Sequence, residues 1–323
     1  MAQAMAARAG TITRGATKDD AKEAPRREAL AQEVLAQEVL AHEVLAHEVL
    51  APKAVAAKPS ARDEAAEPED GDRQFVTALA RGLQVLRVFR DAAEMLGNRE
   101  IAARTGLPKP TVSRLTHTLL SLGYLVHDPE GERYGLGPAV LALSSAFLRQ
   151  NSFPQMVKPF LQDLATAVQA HVALGLLDGL SSVYVQLWRG EGQRIVLSSE
   201  VGYRLPLARS AMGMATLSSL EEAERTALMT RLRRDGADAA RLDDTYRRCA
   251  GEIAERGFCV GIGIWHQDIN AVAAPIQAPG GRGHFALNIS GPAFLLTEAV
   301  LREDTGPRLM ETIGRMRALG IVD

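Results

Sequence analysis

REIAARTGLPKPTVSRLTHTLLSLGYL, residues 99–125, decides the reading of this chain. Two short helical patterns flank a turn. The first, residues 99–106, ends at Gly106, which supplies the left-handed backbone that a tight corner between helices requires. LPKP follows, and the second pattern, residues 111–123, ends at Gly123. Ile101, Ala102 and Leu107 are expected to face the second helix. Val112, Leu115, Leu119 and Leu122 give that helix one apolar side. Its opposite side shows Lys109, Thr111, Ser113, Arg114, His117 and Thr118, with no carboxylate among them. A helix entering the major groove needs that chemistry. Acids would repel phosphates, whereas Ser, Thr, Lys and Arg bond phosphates and base edges. Taken alone, the stretch fits an ordinary helical pair with a solvated polar side equally well.

The flanks favour the DNA reading. YLVHDPEGERYGLG (124–137) reads as strand, tight turn and strand, a wing whose Arg133 and Tyr134 suit the DNA backbone or minor groove. Upstream, TALARGLQVLRVFRD (77–91) places Leu79, Leu83, Leu86 and Phe89 at helical spacing. Downstream, PAVLALSSAFLRQN (138–151) is a helix with Pro138 in its first turn. Residues 72–150 carry ten Lys+Arg against seven Asp+Glu, while residues 1–71 have a net charge of −4 and 151–323 of −1. Only the middle segment has the sign that phosphate binding favours.

Residues 1–72 read as a low-complexity tail and linker, disordered or transiently helical. Within them AQEVL-AQEVL-AHEVL-AHEVL (31–50) repeats every five residues. That step rotates Val34, Val39, Val44 and Val49 around a helix, so they build no single stripe. An oligomerisation or partner-binding helix is the alternative. From Phe153 strands and helices alternate with hairpin-like spacing. Helices are expected at 158–171, 210–220, 221–234, 243–257 and toward the C-terminus, and strands at 172–179, 181–190 and 194–202, then FCVGIGIW, NAVAAPIQAPGG and GHFALNISGP. The fold class is therefore α+β with a mainly antiparallel sheet. The expected division is a tail at 1–72, a winged helix-turn-helix at 73–137, a linker helix at 138–152 and a second domain at 153–323.

FVTALARGLQVLRVFR, REIAARTGLPKPTVSRLTHTLLSLGYL and RYGLGPAVLAL resemble the N-terminal domain of the IclR family of transcription regulators. LPLARSAMGMATLS, GFCVGIG, INAVAAPI and ALNISGP resemble that family's effector domain. The resemblance covers residues 73–318 in unbroken order. It implies a GAF-like or profilin-like effector domain, assembly as homodimers or homotetramers, and an operator in double-stranded DNA as partner. It also implies a small organic acid effector, carboxylated or aromatic, modulating a regulator of a catabolic operon, with repressor and activator both open.

Arg209-Ser210-Ala211-Met212-Gly213 leads into a helix whose first amides can hold an anion, although Ser210 also serves as a plain N-cap. The resemblance places the effector's carboxylate on the amides of Ala211 and Met212, with Asn288 and Ser290 contributing from one face of a strand. A family acid is replaced by Gly261, a family cysteine by Ala271 and a family lysine by Met214. These replacements favour a larger or aromatic acid over a small keto acid. Trp265 and His266 are expected in the loop after FCVGIGI, where they line the pocket or sit on its lid; Trp265 as packing with His266 as a surface group is the alternative.

No catalytic elbow or metal-ligand pattern stands out, so neither enzyme, metal nor cofactor is expected. Cys249 and Cys259 read as reduced, buried thiols in a cytoplasmic protein. No apolar run is long enough to span a membrane, and no secretory signal is read at the start. The rival readings are a ligand-independent DNA-binding protein, a metal-responsive regulator using His171, His266, His284 or a cysteine, and an enzyme built on Ser210 with His266 or His284.

Overall fold

The computed structural model describes residues 74–90, 92, 94–190, 199–281 and 283–323. The expectations for the tail and its five-residue repeat lie outside these residues.

The first folded segment contains α1 (Thr77–Arg87), β1 (Leu96–Gly97), α2 (Asn98–Thr105), α3 (Lys109–Ser121), β2 (Leu125–Asp128) and β3 (Arg133–Leu136). The strands form an antiparallel sheet in the order β1-β3-β2. The sequence gives no signal for β1, which is only two residues long. Val85, Phe89, Leu96, Ile101, Val112 and Leu125 form the core of this head. Burying each such side chain contributes about 1.5–3 kcal/mol. The helical stripe expected on α1 is misplaced, because Leu79 and Leu83 are 62% and 46% exposed. Val85 instead sets the inward side of α1. The helix stops at Arg87, so Phe89 packs from the turn beyond it. Leu122, expected in the core, caps α3 and is 61% exposed.

After α4 (Pro138–Gln150) and α5 (Ser152–Val168) come β4 (His171–Asp178), β5 (Ser181–Arg189) and β6 (Arg204–Pro206). Next are α6 (Ala211–Ser218), α7 (Glu222–Arg234), α8 (Ala239–Arg256), β7 (Cys259–His266), β8 (Ile269–Gln277) and β9 (His284–Pro292). The chain closes with α9 (Glu298–Val300), a π-helical turn at Leu301–Thr305 and α10 (Gly306–Ala318). The sheet is antiparallel in the order β6-β5-β4-β9-β8-β7.

Strand alternation divides this sheet into two faces. Val172, Leu174, Val185, Val272, Leu287 and Ile289 point to a core shared with α5 and α10. Ala173, Tyr184, Ala273 and Ala286 point to a second core under α6 and α8. On the α6 side the register lines residues up in rows. Leu187, Ala173, Asn288, Ala273 and Cys259 form one row, and Arg189, His171, Ser290, Ala271 and Gly261 form the next.

Several element bounds differ from expectation. Helix α5 starts six residues before Lys158 and carries Pro159 inside it. Pro159 lies on the exposed side, where water can satisfy the carbonyl its ring leaves unpaired. The helix ends at Gln169, in a left-handed conformation, so His171 opens β4 instead of closing the helix. In the strand expected at 194–202, residues 194–198 lie outside the described residues and 201–202 form a turn, with β6 following at Arg204. Helix α8 starts at Ala239 because the Asp238 carboxylate caps the Arg241 amide. The π turn arises because Pro307 has no N–H to give and the Gly306 amide reaches back to Leu301 O.

Candidate functional site

The exposed side of α3 is the first candidate surface. The preceding corner is held by Gly106, at φ 70°, whose amide donates to Ala102 O. Pro108 then breaks α2 from α3 and occupies the N-cap. Val112 and Thr116 are buried against the head, with Leu115 and Leu119 packed on the same core. Lys109, Ser113, Arg114, His117 and Thr118 consequently stand exposed, and Thr111 is half-buried. The structure thus brings together the side chains expected to face DNA on this helix. Thr118 turns its hydroxyl back to Arg114 O, so its oxygen is engaged within the helix.

One residue of this surface was not legible in the sequence. Asn98, the first residue of α2, donates from Nδ2 to Ser113 Oγ and accepts at Oδ1 from Thr116 Oγ1, each at 3.3 Å. It ties α2 to the exposed and buried sides of α3 together. Nothing in a lone Asn at a helix start signals that reach.

Arg133 lies on the wing, away from the α3 set. Its Nη1 donates to Met95 O at 2.7 Å and stands 3.7 Å from Glu100 Oε2. The guanidinium therefore braces the wing against the head. Around it the wing tip carries Asp128, Glu130 and Glu132. Those carboxylates oppose a phosphate contact there, so the geometry concentrates the phosphate-friendly chemistry on α3.

The second candidate site lies at the start of α6. Ser210 Oγ accepts from the Gly213 amide at 3.0 Å and donates to Pro206 O at 2.8 Å. The N-cap reading of Ser210 therefore describes its side chain. The amides of Ala211 and Met212 occupy the first two helical positions, which have no acceptor inside a helix. The Met212 side chain is fully buried and packs onto Gly175, where a Cβ would stand 2.2 Å from its sulfur. With that side chain taken up in packing, the amide is the group of Met212 that has no acceptor inside the helix. A Cβ on Gly261 would lie 2.9 Å from the Ala211 Cβ, so the start of α6 sits directly over Gly261. Cys259 Sγ also donates to Ala211 O at 3.7 Å.

Asn288 and Ser290 point to this same face, both buried, with Ala271 beside Ser290 on β8. The structure thus assembles Ser210, Ala211, Met212, Gly261, Ala271, Asn288 and Ser290 on one side of the sheet. Trp265 joins them, packed against the α6-side core, but from the end of β7 and not from a loop. His266, also at the end of β7, is exposed and lies 3.5 Å from Asp268. Tyr184 and Tyr203 were missed. Their rings lie 5.7 Å apart, and Tyr203 meets Trp265 edge-on at 6.1 Å. Strand alternation on β5 was the available signal for Tyr184.

His171 lies in the row with Ser290, buried in the middle of the sheet. Burial, with the nearby Arg189 charge adding, pushes its pKa down to about 4. Burial likewise raises the Tyr184 phenol well above its ordinary value. Of the histidines named for a metal site, His266 and His284 lie at opposite ends of β8, beside Ile269 and Gln277, and His284 stands 3.4 Å from Glu224. Among the described residues no three His, Cys, Asp or Glu cluster as metal ligands. The Ser210 hydroxyl engages backbone groups and no histidine. Among the described residues no helix is long and apolar enough to cross a membrane.

Comparison with known proteins agrees with this architecture. Residues 78–129 match the family described as IclR helix-turn-helix domain, and residues 146–313 match that described as Bacterial transcriptional regulator IclR C-terminal. The chain is 29% identical over 245 residues to the HTH-type transcriptional regulator TsaQ1/TsaQ2 of Comamonas testosteroni, covering 75% of this chain and 88% of that protein. It is 28% identical over 242 residues to the Pca regulon regulatory protein of Pseudomonas putida, covering 74% and 82%. The crystal structure of an IclR family transcriptional regulator from Brucella abortus superimposes with a TM-score of 0.71 at 41% identity, covering 79% of this chain and 96% of that one. The head, the antiparallel second domain and these matches agree throughout, and the chain belongs to the IclR family of transcription regulators.

Proposed function

We propose that this chain binds an operator through α3 and that a small carboxylate held at the start of α6 changes its affinity for that operator. The support for the DNA contact is the acid-free exposed set Lys109, Thr111, Ser113, Arg114 and His117 on a helix whose other side is packed. Arg133 contributes by fixing the wing. The observation that carries the ligand reading is the start of α6. The Ser210 side chain is spent on Gly213, which leaves the Ala211 and Met212 amides above a floor of Gly261, Ala271 and Ala273. Free amides at a helix start, reinforced by the helix dipole, favour an anion.

Self-association completes the reading. Val76, Leu79 and Leu83 form an exposed apolar stripe along α1, and Leu141 and Phe147 stand exposed on α4, which buries no residue of its own. A dimer that covers these side chains would present two α3 helices to two half-sites. The relative named Pca regulon regulatory protein supports control of a set of co-regulated genes. A ligand shifts operator occupancy only by its differential affinity for the free and DNA-bound forms.

The test uses the full chain and a duplex selected from random-sequence DNA. Gel-shift affinity at fixed salt is measured without and with short and aromatic carboxylates that raise the unfolding temperature. A change of fivefold or more supports the coupling. A carboxylate that saturates the protein and leaves DNA affinity unchanged refutes it.

A further inference from the structure

The two cysteines of the chain meet beneath α6. Cys249 lies in α8 and Cys259 opens β7, and both are fully buried in the α6-side core. Cys259 follows Cys249 by ten residues, and a side-chain clamp folds that stretch back on itself. Arg248 Nη1 donates to Val260 O at 3.0 Å, and Val260 N donates to Glu252 Oε2 at 2.8 Å. Val260 turns its side chain to the other face of the sheet, so Cys259 faces the side that α8 covers. The two thiols accordingly share a hydrogen bond. Cys259 Sγ also donates to Ala211 O at 3.7 Å, which ties the pair to the first residue of α6.

The surroundings make the two thiols unequal partners. The hydrogen bond from Cys259 holds the Cys249 thiol below its ordinary value. Burial opposes this, and the Arg248 and Arg302 guanidinium charges add to it against Glu252. The same hydrogen bond, with burial adding, pushes the Cys259 thiol well up. A thiolate is the form that attacks an oxidant, so Cys249 reacts first and Cys259 stands within reach to resolve it. Neither sulfur reaches the surface, so the oxidant must be as small as hydrogen peroxide and enter through local opening of the core.

We infer that Cys249 and Cys259 form a reversible oxidation site, in which hydrogen peroxide joins the two sulfurs in a disulfide and thereby frees the first turn of α6. The Cys249 thiolate attacks one peroxide oxygen. The O–O bond breaks, and hydroxide leaves and takes up the proton that Cys249 gave up, forming water. Cys249 then carries a sulfenic acid. The Cys259 sulfur attacks Cys249 Sγ, the S–S bond forms, the S–O bond breaks, and the departing hydroxide takes the Cys259 proton. Two thiols and one peroxide thus give one disulfide and two waters, with two electrons passing from sulfur to oxygen. The disulfide has no hydrogen to give Ala211 O, and it draws the sulfurs to about 2.0 Å. Both changes act on the turn whose amides are proposed to seat the effector. The disulfide rests on the thiol geometry alone, whereas its effect on operator affinity rests on the effector-site reading above.

The experiment exposes the full chain to hydrogen peroxide up to millimolar concentration, blocks free thiols with iodoacetamide under denaturing conditions, and reads tryptic peptides by mass spectrometry without reductant. The expected product joins peptides 249–256 and 257–282, and dithiothreitol separates them. In gel shifts on the selected duplex, oxidation is expected to change affinity by about fivefold or more, and dithiothreitol to restore it. Cys249→Ala should show no peroxide response that dithiothreitol reverses, which separates the disulfide from methionine oxidation. In Cys259→Ala, dimedone should trap a sulfenic acid on Cys249, and its failure to do so overturns the order of attack. The linked peptides are read in the unsubstituted chain, so a variant that fails to fold does not remove the test. Two free thiols after peroxide, or a disulfide between two chains, overturns the inference and leaves the effector-site reading standing. A complete disulfide with unchanged operator affinity overturns the release of α6, and the carboxylate gel shifts then judge the effector-site reading separately.

Discussion

The Ala211 methyl group occupies the place that any side chain on Gly261 would need, 2.9 Å from an ideal Cβ there. This contact fixes the first turn of α6 against β7. A larger side chain at this position could enter only by lifting the helix start. Gly261→Ala is expected to destabilise the chain by about 1–3 kcal/mol, because neither a methyl group nor a strand backbone yields cheaply. Chemical denaturation followed by circular dichroism checks this. A variant as stable as the parent would mean that α6 shifts freely.

Asn98 holds the exposed Ser113 and the buried Thr116 of α3 through its two amide ends. Asn98→Ala is expected to weaken binding to a selected duplex by about 1–2 kcal/mol through lost hydrogen bonds. The salt dependence should stay the same, since no phosphate contact is removed. A changed slope would place Asn98 at the DNA backbone.

His171 is buried beside Ser290 with its pKa held near 4, against 6.5 when free. The folded chain thus refuses a proton that the unfolded chain accepts. The stability this gives is complete above about pH 6.5 and is lost as the pH falls from there toward 4, by about 3 kcal/mol in all. Urea midpoints across that window should fall in the parent and stay flatter in His171→Gln. Parallel curves for the two proteins would show that His171 is protonated in the folded state.

Glu252 of α8 accepts from the Val260 amide at 2.8 Å and from Arg302 Nη2 at 2.9 Å, with Arg248 Nη1 at 3.2 Å. Burial works to raise its carboxyl pKa, but these donors and the two guanidinium charges outweigh it and hold the value down. Its contribution is present above the ordinary carboxylate range and is lost as the pH falls through that range. Glu252→Gln should lower stability by about 1–2 kcal/mol at neutral pH and narrow the difference in acid. No loss at neutral pH would mean that the cluster contributes nothing net.

Much of this was written in local sequence. Gly106, Pro108 and the spacing of Val112 and Leu115 define the helix-turn-helix because the corner and the buried side depend on neighbouring residues. The face shared by Asn288 and Ser290 follows from strand alternation, which is equally local. What escaped depends on contacts distant along the chain. The bracing of Arg133 to Met95 O spans 38 residues. The Tyr203–Trp265 ring contact and the seat of Ala211 over Gly261 exist only once the strands are in register. The inward side of α1 was misread because Leu79 and Leu83 obey helical spacing while facing outward. Periodicity identifies a helix face and cannot say what, if anything, covers it.

Arg114 stands exposed on α3, the helix proposed to read DNA. The most direct test selects duplexes from a random-sequence pool with the full chain and with Arg114→Ala, then measures affinity for the enriched sequence at fixed salt. A paired, two-half-site motif is expected for the parent. Arg114→Ala is expected to lose about 1–3 kcal/mol on that motif, with preference relaxed at one position of each half-site. The absence of any enriched motif for the parent, or the same motif bound equally well by both proteins, would contradict that role for α3.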